Sequence, residues 1–277
     1  MYPRLLQRFD EFLVKSVDFY VNYRWYHSPI TSKILASKEK YLELAEKAKA
    51  VNYPETGIYE KETGYAIDAE WFHTLALRTQ VVIKKSEICY AHGRLLYACL
   101  RKYLEKNGNY TVNILETGTA RGFSSVCMAK ALEDSNVEGK IFTFDVLPHQ
   151  TRMYWNCIAD HEGKMTREEL LAGYCVYTNR YIVFKQGNTR IELNKMHLDR
   201  VNFAFLDGSH SFKDVMFEFN YLKKRQIKGD IIFFDDYSQN RFPGIVKAVD
   251  KICKEFGYSK QILSAGQNRA YVIAEKH

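Results

Sequence analysis

The sequence contains no C-x-x-C pair, no long apolar run and no basic arm, and each absence excludes a class of protein. Its six cysteines are scattered, so we expect reduced thiols rather than disulfides or a zinc site. No segment approaches the ~18 apolar residues of a membrane-spanning helix. Residues 1–10 lack the apolar core of a signal peptide. These absences predict a cytoplasmic protein without a membrane span.

Positive charge is spread along the chain, whose formal net charge is +7. Residues 1–110 carry 17 basic and 13 acidic side chains, and residues 111–277 carry 23 and 20. A protein that follows a phosphate backbone usually concentrates its lysines and arginines on one face. The charge pattern therefore gives no clear indication of a nucleic-acid partner.

Strand and helix patterns alternate from residue 111 onward. Apolar runs predict strands at residues 112–116, 140–145, 181–185, 201–206 and 230–234. Helical spacing predicts helices at 123–132, 212–225 and 244–256, a long helical or mixed insertion at 150–177, and a closing antiparallel pair at 259–263 and 270–274. Such alternation predicts an α/β fold with a doubly wound, mostly parallel, Rossmann-like sheet.

Residues 1–107 have helical spacing and few strand signals. We expect helices at 37–51 and 70–106, separated by a loop at 54–64. The aromatic stretch 19–27 fits a membrane-surface or partner helix, or simple packing in a core or a dimer face. We interpret 1–107 as a helical cap or oligomerisation region, through which the chain would form a homo-oligomer, and 108–277 as the catalytic domain.

A strand, a glycine turn and a helix meet in the segment 112–132. The turn reads Glu116-Thr-Gly118-Thr-Ala-Arg-Gly122. A dinucleotide fingerprint would have glycine where Glu116 stands, and a carboxylate there would repel a pyrophosphate but attract a cationic ligand. This motif resembles that of the class I S-adenosylmethionine-dependent methyltransferases, although an ordinary tight βα turn is the alternative.

Other predicted strands also end in polar residues, where open α/β sheets bind their ligands. Asp145 follows the second strand and is suited to accept hydrogen bonds from ribose hydroxyls. Asp207 follows the fourth strand, and Asp235 and Asp236 follow the fifth. Three neighbouring carboxylates favour a hard divalent ion such as Mg²⁺. The alternative is that these aspartates cap helices or accept backbone N–H bonds.

His210 stands three residues after Asp207. Its ordinary pKa near 6.5 suits a general base, which would take a proton from a substrate hydroxyl that a metal ion acidifies. The alternative is a surface or capping histidine. In this arrangement the sequence resembles the metal-dependent O-methyltransferases over residues 75–275. It departs from the catechol-type branch, which typically has lysine at position 210 and often asparagine at 236, and is closer to the macrolide-sugar branch.

The resemblance implies roles for individual residues. Glu116 would face the amino group of S-adenosylmethionine, and Gly118 and Gly122 would let the cofactor approach the backbone. Asn188 would lie near the adenine and Asp145 at the ribose. The contacts to the cofactor carboxylate would come from Thr117, Thr119 and Ser124.

These features predict a magnesium-dependent O-methyltransferase that acts on a hydroxyl of a small molecule or sugar unit, with catalytic residues His210 and Asp207. Alternatives are an RNA or protein methyltransferase and a non-catalytic cofactor-binding scaffold. Leu206-Asp-Gly-Ser-His210 lacks the Pro-Pro-aromatic run of many nucleobase methyltransferases. A Rossmann dehydrogenase is disfavoured by Glu116.

Overall fold

The computed structural model describes residues 32–107, 111–266 and 269–277, together with Phe12 and Ser16. Its centre is a seven-stranded sheet with the order β3-β2-β1-β4-β5-β7-β6. The strands are β1 Val112–Thr117, β2 Gly139–Asp145, β3 Ile182–Gln186, β4 Phe203–Leu206, β5 Ile231–Phe234, β6 Tyr258–Ser264 and β7 Ala270–Lys276. Strands β1 to β5 pair in parallel, and β7 runs antiparallel to both β5 and β6. The predicted α/β fold is confirmed.

Helices cover both faces of this sheet. They are α1 Lys38–Lys49, α2 Pro54–Thr63, α3 Ala69–Thr79, α4 His92–Asn107, α5 Phe123–Asp134, α6 Arg167–Leu170, α7 Cys175–Tyr181, α8 Thr189–Lys195, α9 Phe212–Leu222 and α10 Pro243–Glu255. In the described part of the chain, no helix combines the length and the apolarity needed to span a membrane.

The central strands are apolar throughout because both of their faces are buried. In β5, Ile231 and Phe233 belong to one core cluster, whereas Ile232 and Phe234 belong to the other. The first cluster packs the sheet against α3, α4 and α5, and the second packs it against α9 and α10. The predicted strand at 230–234 is therefore confirmed, with one residue fewer at its start.

Two predictions for the N-terminal region are wrong. The segment predicted as a loop at 54–64 is the helix α2: Pro54 stands at its start, where a missing N–H is tolerated, and Gly64 ends it with φ +79°. The helix predicted over 70–106 is two helices, α3 and α4, separated by residues 80–91. The aromatic stretch 19–27 lies outside the described residues.

The N-terminal helices share a core with the sheet. Glu60 of α2 is buried, and its carboxylate accepts a hydrogen bond of 2.9 Å from Arg94 Nε on α4. Leu95, Leu96 and Leu100 of α4 are fully buried in the same cluster as Val126 of α5. This packing places residues 80–91 beside the carboxyl ends of β4 and β5, where Lys84 comes within electrostatic range of Asp235.

Candidate active site

The carboxyl ends of β1, β2, β4 and β5 lie along one edge of the sheet. Four of the predicted site residues stand there: Glu116 and Asp145 within the last two residues of β1 and β2, and Asp207 and Asp235 directly after β4 and β5. The parallel pairing of β1 with both β2 and β4 brings these ends together. The sequence-predicted site is thus one continuous edge.

The glycine turn after β1 packs directly on the chain after β4. Gly118 has φ +91°, and a Cβ atom built on it would lie 2.2 Å from the backbone oxygen of Asp207. Gly122, with φ +88°, precedes the first residue of α5. Both glycines adopt backbone conformations that other residues rarely take. The Gly118 contact joins the two halves of the edge, which we call the donor half (after β1 and β2) and the acceptor half (after β4 and β5).

Glu116 is fully buried in the donor half. Its two carboxylate oxygens accept hydrogen bonds from the hydroxyls of Ser124 and Ser125 in the first turn of α5. Burial raises the pKa of Glu116, and these hydroxyl donors act in the opposite direction. The carboxylate is therefore held by uncharged donors of its own chain.

The three residues predicted to contact the cofactor carboxylate are all buried. The Thr117 hydroxyl donates to Glu218 Oε2 at 3.3 Å, and the Thr119 hydroxyl lies 2.6 Å from that of Thr143. With Ser124 bonded to Glu116, all three hydroxyls take part in hydrogen bonds within the protein. Their predicted contact with a cofactor stays a prediction.

Asp145 connects the loop after β2 to the glycine turn. Its Oδ2 accepts the Ala120 N–H at 2.5 Å and its Oδ1 accepts the Leu147 N–H at 2.8 Å. Asn188, in contrast, is exposed and caps α8 by accepting the Arg190 N–H at 2.9 Å. Asp145 therefore lies inside the donor half, and Asn188 lies at its margin.

A buried arginine, which the sequence did not single out, adjoins the donor half. Arg167 of α6 is 1% exposed and donates from Nε to the Ala120 carbonyl at 2.9 Å. Its Nη2 is buried and has no hydrogen-bond partner in the part of the chain that the structure describes. Burial lowers the pKa of Arg167 to about 10, and the carboxylates of Asp145 and Glu116 act in the opposite direction.

The acceptor half brings Asp235, Asp236 and His210 together. Asp235 is buried, and Asp236 adopts φ +55°, a left-handed conformation that aspartate tolerates better than most residues. His210 Nε2 lies 3.6 Å from Asp236 Oδ2, and its ring packs on Phe242 with centroids 4.2 Å apart. The predicted proximity of the histidine to this acidic pair is observed.

Arg269 completes the acceptor half, and sequence analysis missed it. Its Nη2 lies 2.7 Å from Asp235 Oδ2 and its Nε lies 3.0 Å from Asp236 Oδ1. Arg269 stands one residue before β7, and Tyr237 N–H donates to the Ala270 carbonyl at 2.9 Å. No local motif marks this residue, because its position depends on how β7 pairs with β5.

Electrostatic effects differ among the three aspartates. Burial, followed by repulsion from Asp235 and Asp236, raises the pKa of Asp207 well above its usual value. Burial also raises the pKa of Asp235, but attraction by Arg269 and His92, together with hydrogen bonds from Arg269 and the Asp236 N–H, outweighs it and leaves that pKa below its usual value. Across residues 32–107, 111–266 and 269–277, no group of three His, Cys, Asp or Glu side chains is arranged to hold a metal ion.

Residues 115–237 match the family model described as "Methyltransferase domain". This segment of the chain is therefore similar to a methyltransferase domain. All the predicted site residues fall within this match, whereas Arg269 follows it. No curated protein sequence matches this chain.

Solved structures resemble this chain at low sequence identity. The structure of the O-methyltransferase NovP has a TM-score of 0.53, with 16% identity over 87% of this chain and 99% of that chain. An O-methyltransferase from Bacillus cereus in complex with SAH has a TM-score of 0.47 and 14% identity, over 94% of this chain and 97% of that chain. TomG, an O-methyltransferase from Streptomyces achromogenes in complex with SAM, has a TM-score of 0.46 and 13% identity, over 88% of this chain and 100% of that chain. The NovP likeness supports the class I methyltransferase fold.

Proposed function

We propose that the protein transfers a methyl group from S-adenosylmethionine to a hydroxyl of a polar small molecule, such as a sugar unit. The observation that carries this proposal is the contact between Gly118 and the backbone of Asp207. Through it, the donor half lies directly against the loop that bears His210. A methyl donor and a general base can therefore act on the same oxygen.

The donor half supplies a negatively charged setting for a cationic cofactor. Glu116 and Asp145 lie on neighbouring strands, with Glu116 and Thr143 as partners in the pairing of β1 with β2. An ionised carboxylate offers about four acceptor positions. Asp145 can therefore accept ribose hydroxyls in addition to the N–H groups of Ala120 and Leu147.

The acceptor half borders an open cavity of about 420 Å³, several of whose side chains can hydrogen-bond a hydroxylated acceptor. Its lining consists of Tyr237, Ser238, Gln239, Asn240, Ile262, Ser264, Gly266, Arg269 and Ala270. NovP is an O-methyltransferase by name, which supports oxygen as the methylated atom. The residues of the cavity would hold the acceptor beside Arg269.

The transfer is an in-line displacement at the methyl carbon, so positioning of the acceptor oxygen is the main task. His210 would take the hydroxyl proton on a ring nitrogen as the oxygen attacks. The new O–C bond forms as the S–C bond breaks, and S-adenosylhomocysteine leaves. Asp236, 3.6 Å from His210 Nε2, would stabilise the imidazolium that results.

Magnesium at Asp207, Asp235 and Asp236 stays a prediction, and the arrangement of these residues does not fit it. Mg²⁺ requires free carboxylate oxygens in nearly octahedral geometry. Here the guanidinium of Arg269 pairs with the carboxylates of both Asp235 and Asp236. We therefore derive no catalytic step through a metal.

Substitution of the proposed base tests the function. His210→Gln should lower kcat by about 10²-fold or more, since a positioned general base contributes about that much, and should leave the affinity for S-adenosylhomocysteine unchanged. The assay is S-adenosylhomocysteine release with a panel of sugars and other hydroxylated compounds, combined with calorimetric cofactor titration. The exposed His197, before β4 at the opposite edge, gives the control His197→Gln, which should have the wild-type rate.

Three outcomes would contradict the proposal. Absence of cofactor binding would remove the methyl donor. Cofactor binding without turnover on any acceptor would favour a scaffold protein. A His210→Gln variant with the wild-type rate would assign the proton transfer to another group.

A further inference from the structure

Arg269 occupies the place where the three aspartates alone would predict a divalent ion. Its Nε and Nη2 both donate to the Asp235 carboxylate, at 3.2 and 2.7 Å, and Nε also lies 3.0 Å from Asp236 Oδ1. A guanidinium that binds two carboxylates holds a fixed geometry, because its donors form a rigid planar fork. Arg269 is therefore a cation that the protein itself supplies to the acceptor half.

Positive charge reaches the acidic pair from more than one part of the chain. Besides Arg269, Lys84 in the loop between α3 and α4 lies within electrostatic range of Asp236, and His210 adds a charge there only when it is protonated. The buried ring of His92 stacks on Phe205, with centroids 6.0 Å apart. Burial lowers the pKa of His92 to about 4, so this ring is neutral at pH 7 and adds no positive charge. The negative charge of this cluster is thus offset by side chains, whereas bare carboxylates would require a metal ion.

Arg269 also reaches the cavity. It is one of the lining residues, and 20% of its side chain is exposed. Its Nη1 has no hydrogen-bond partner among residues 32–107, 111–266 and 269–277. One edge of the guanidinium is therefore fixed by aspartates, whereas none of the described residues binds Nη1 on the other edge.

We propose that Arg269, held by Asp235 and Asp236, takes the role of a divalent cation and donates a hydrogen bond to the acceptor oxygen during methyl transfer. This inference rests on the proposed O-methyltransferase function. A guanidinium near the oxygen stabilises the negative charge that develops as His210 removes the proton. The acceptor site then works without a metal ion.

Metal binding tests the inference independently of turnover. Titration of the full-length protein with Mn²⁺, followed by electron paramagnetic resonance, should show no binding below about millimolar concentration, the range of weak carboxylate sites. Arg269→Gln frees the carboxylates and should bind Mn²⁺ at least about tenfold more tightly, since unpaired clustered carboxylates attract a cation. Tight Mn²⁺ binding by the wild type that Asp235→Asn abolishes would overturn the inference, as would an unchanged affinity in Arg269→Gln.

Turnover provides the second measurement. Wild-type activity should survive EDTA and should not rise with MgCl₂. Arg269→Gln should lower kcat by about 10²-fold with little change in KM for the cofactor, which is the typical effect of removing one donor to a developing oxyanion. The exposed Arg241 gives the control Arg241→Gln, with the wild-type rate expected. Loss of wild-type activity in EDTA that Mg²⁺ restores would overturn the inference.

The two proposals fail in different ways. If no acceptor is methylated under any condition, the proposed function fails. The Mn²⁺ titration still decides whether Arg269 prevents a metal ion from binding to Asp235 and Asp236. If Arg269→Gln does not fold, the wild-type titration and the EDTA experiment decide alone. Arg269→Lys keeps the charge but loses the fork, and it should retain more activity than Arg269→Gln.

Discussion

The two halves of the catalytic edge hold their carboxylates by different means. In the donor half, Glu116 and Asp145 accept hydrogen bonds from uncharged hydroxyl and N–H groups. In the acceptor half, Asp235 and Asp236 form ion pairs with Arg269. In the described chain no guanidinium pairs directly with Glu116 or Asp145, although Arg167 lies within electrostatic range of both. The acceptor half, in contrast, contains a cation that is paired directly with its carboxylates.

This difference has consequences for stability. A buried carboxylate that accepts neutral hydrogen bonds can be replaced by an amide without leaving an opposite charge alone. A buried carboxylate that pairs with arginine cannot be replaced in this way, because the guanidinium would then be left without its counter-charge. The comparison therefore predicts unequal effects of the same chemical change in the two halves.

The largest effect should come from Asp235→Asn, set against Glu116→Gln. We expect Asp235→Asn to lower the free energy of unfolding by about 3 to 4 kcal/mol, since it breaks a buried ion pair. The partial exposure of Arg269 keeps this loss from being larger. Glu116→Gln should change stability by about 1 kcal/mol or less, while it weakens S-adenosylhomocysteine binding through loss of charge. Urea unfolding at pH 7 measures both, and equal losses would remove the distinction between the halves.

The junction of the halves contains a second test. Glu218 of α9 is 1% exposed, its Oε2 accepts from Thr117, and its Oε1 has no partner in the described chain. Burial raises the pKa of Glu218 to about 7, while the nearby hydroxyls of Thr189 and Thr117 act in the opposite direction. Because the folded state retains the proton that an unfolded chain with a pKa of 4.5 loses, stability falls as the pH rises from about 4.5 to 7.

Glu218→Gln should remove this pH dependence. At pH 4.5 the variant should be less stable than the wild type by about 1 kcal/mol, the cost of burying an unpaired amide N–H. At pH 8 the variant should be more stable by about 2 kcal/mol. It avoids the loss of about 3 kcal/mol that the raised pKa of Glu218 causes in the wild type, but it buries an unpaired amide N–H at a cost of about 1 kcal/mol. Chemical denaturation at both pH values measures this, with the exposed Glu255→Gln as the control. A constant difference across the pH range would show that Glu218 is ionised in the folded protein.

Sequence reasoning predicted the sheet region well because local patterns determine it. The apolar runs, the glycine turn and the polar strand ends all lie within short segments, and β1, β2 and β5 differ from prediction by one residue at a terminus. The N-terminal errors have the same local origin: Pro54 and Gly64 are typical of a loop, but they also stand at the start and end of a helix.

The site was less predictable because long-range pairing completes it. The positions of Glu116, Asp145 and His210 follow from the strand order, which the alternation of strand and helix patterns along the sequence suggests. Arg269 reaches Asp235 only because β7 inserts between β5 and β6 with a particular register. Nothing near residue 269 in the sequence indicates that register. The sequence alone therefore did not predict that the guanidinium of Arg269 would pair with the carboxylates that were expected to bind a metal ion.

The smallest predicted effect concerns Asn188, at the margin of the donor half. Its side-chain oxygen caps α8, while the resemblance to class I methyltransferases placed its amide near the adenine. Asn188→Ala should lower the free energy of unfolding by about 1 kcal/mol, as loss of a helix cap does, and should also weaken S-adenosylhomocysteine binding. Asn188→Ser keeps an oxygen that can cap the helix but lacks the amide, so it should restore stability without restoring affinity. Urea unfolding and calorimetry separate the two roles, because a serine variant with full affinity would make Asn188 a helix cap alone and move the adenine subsite elsewhere in the donor half.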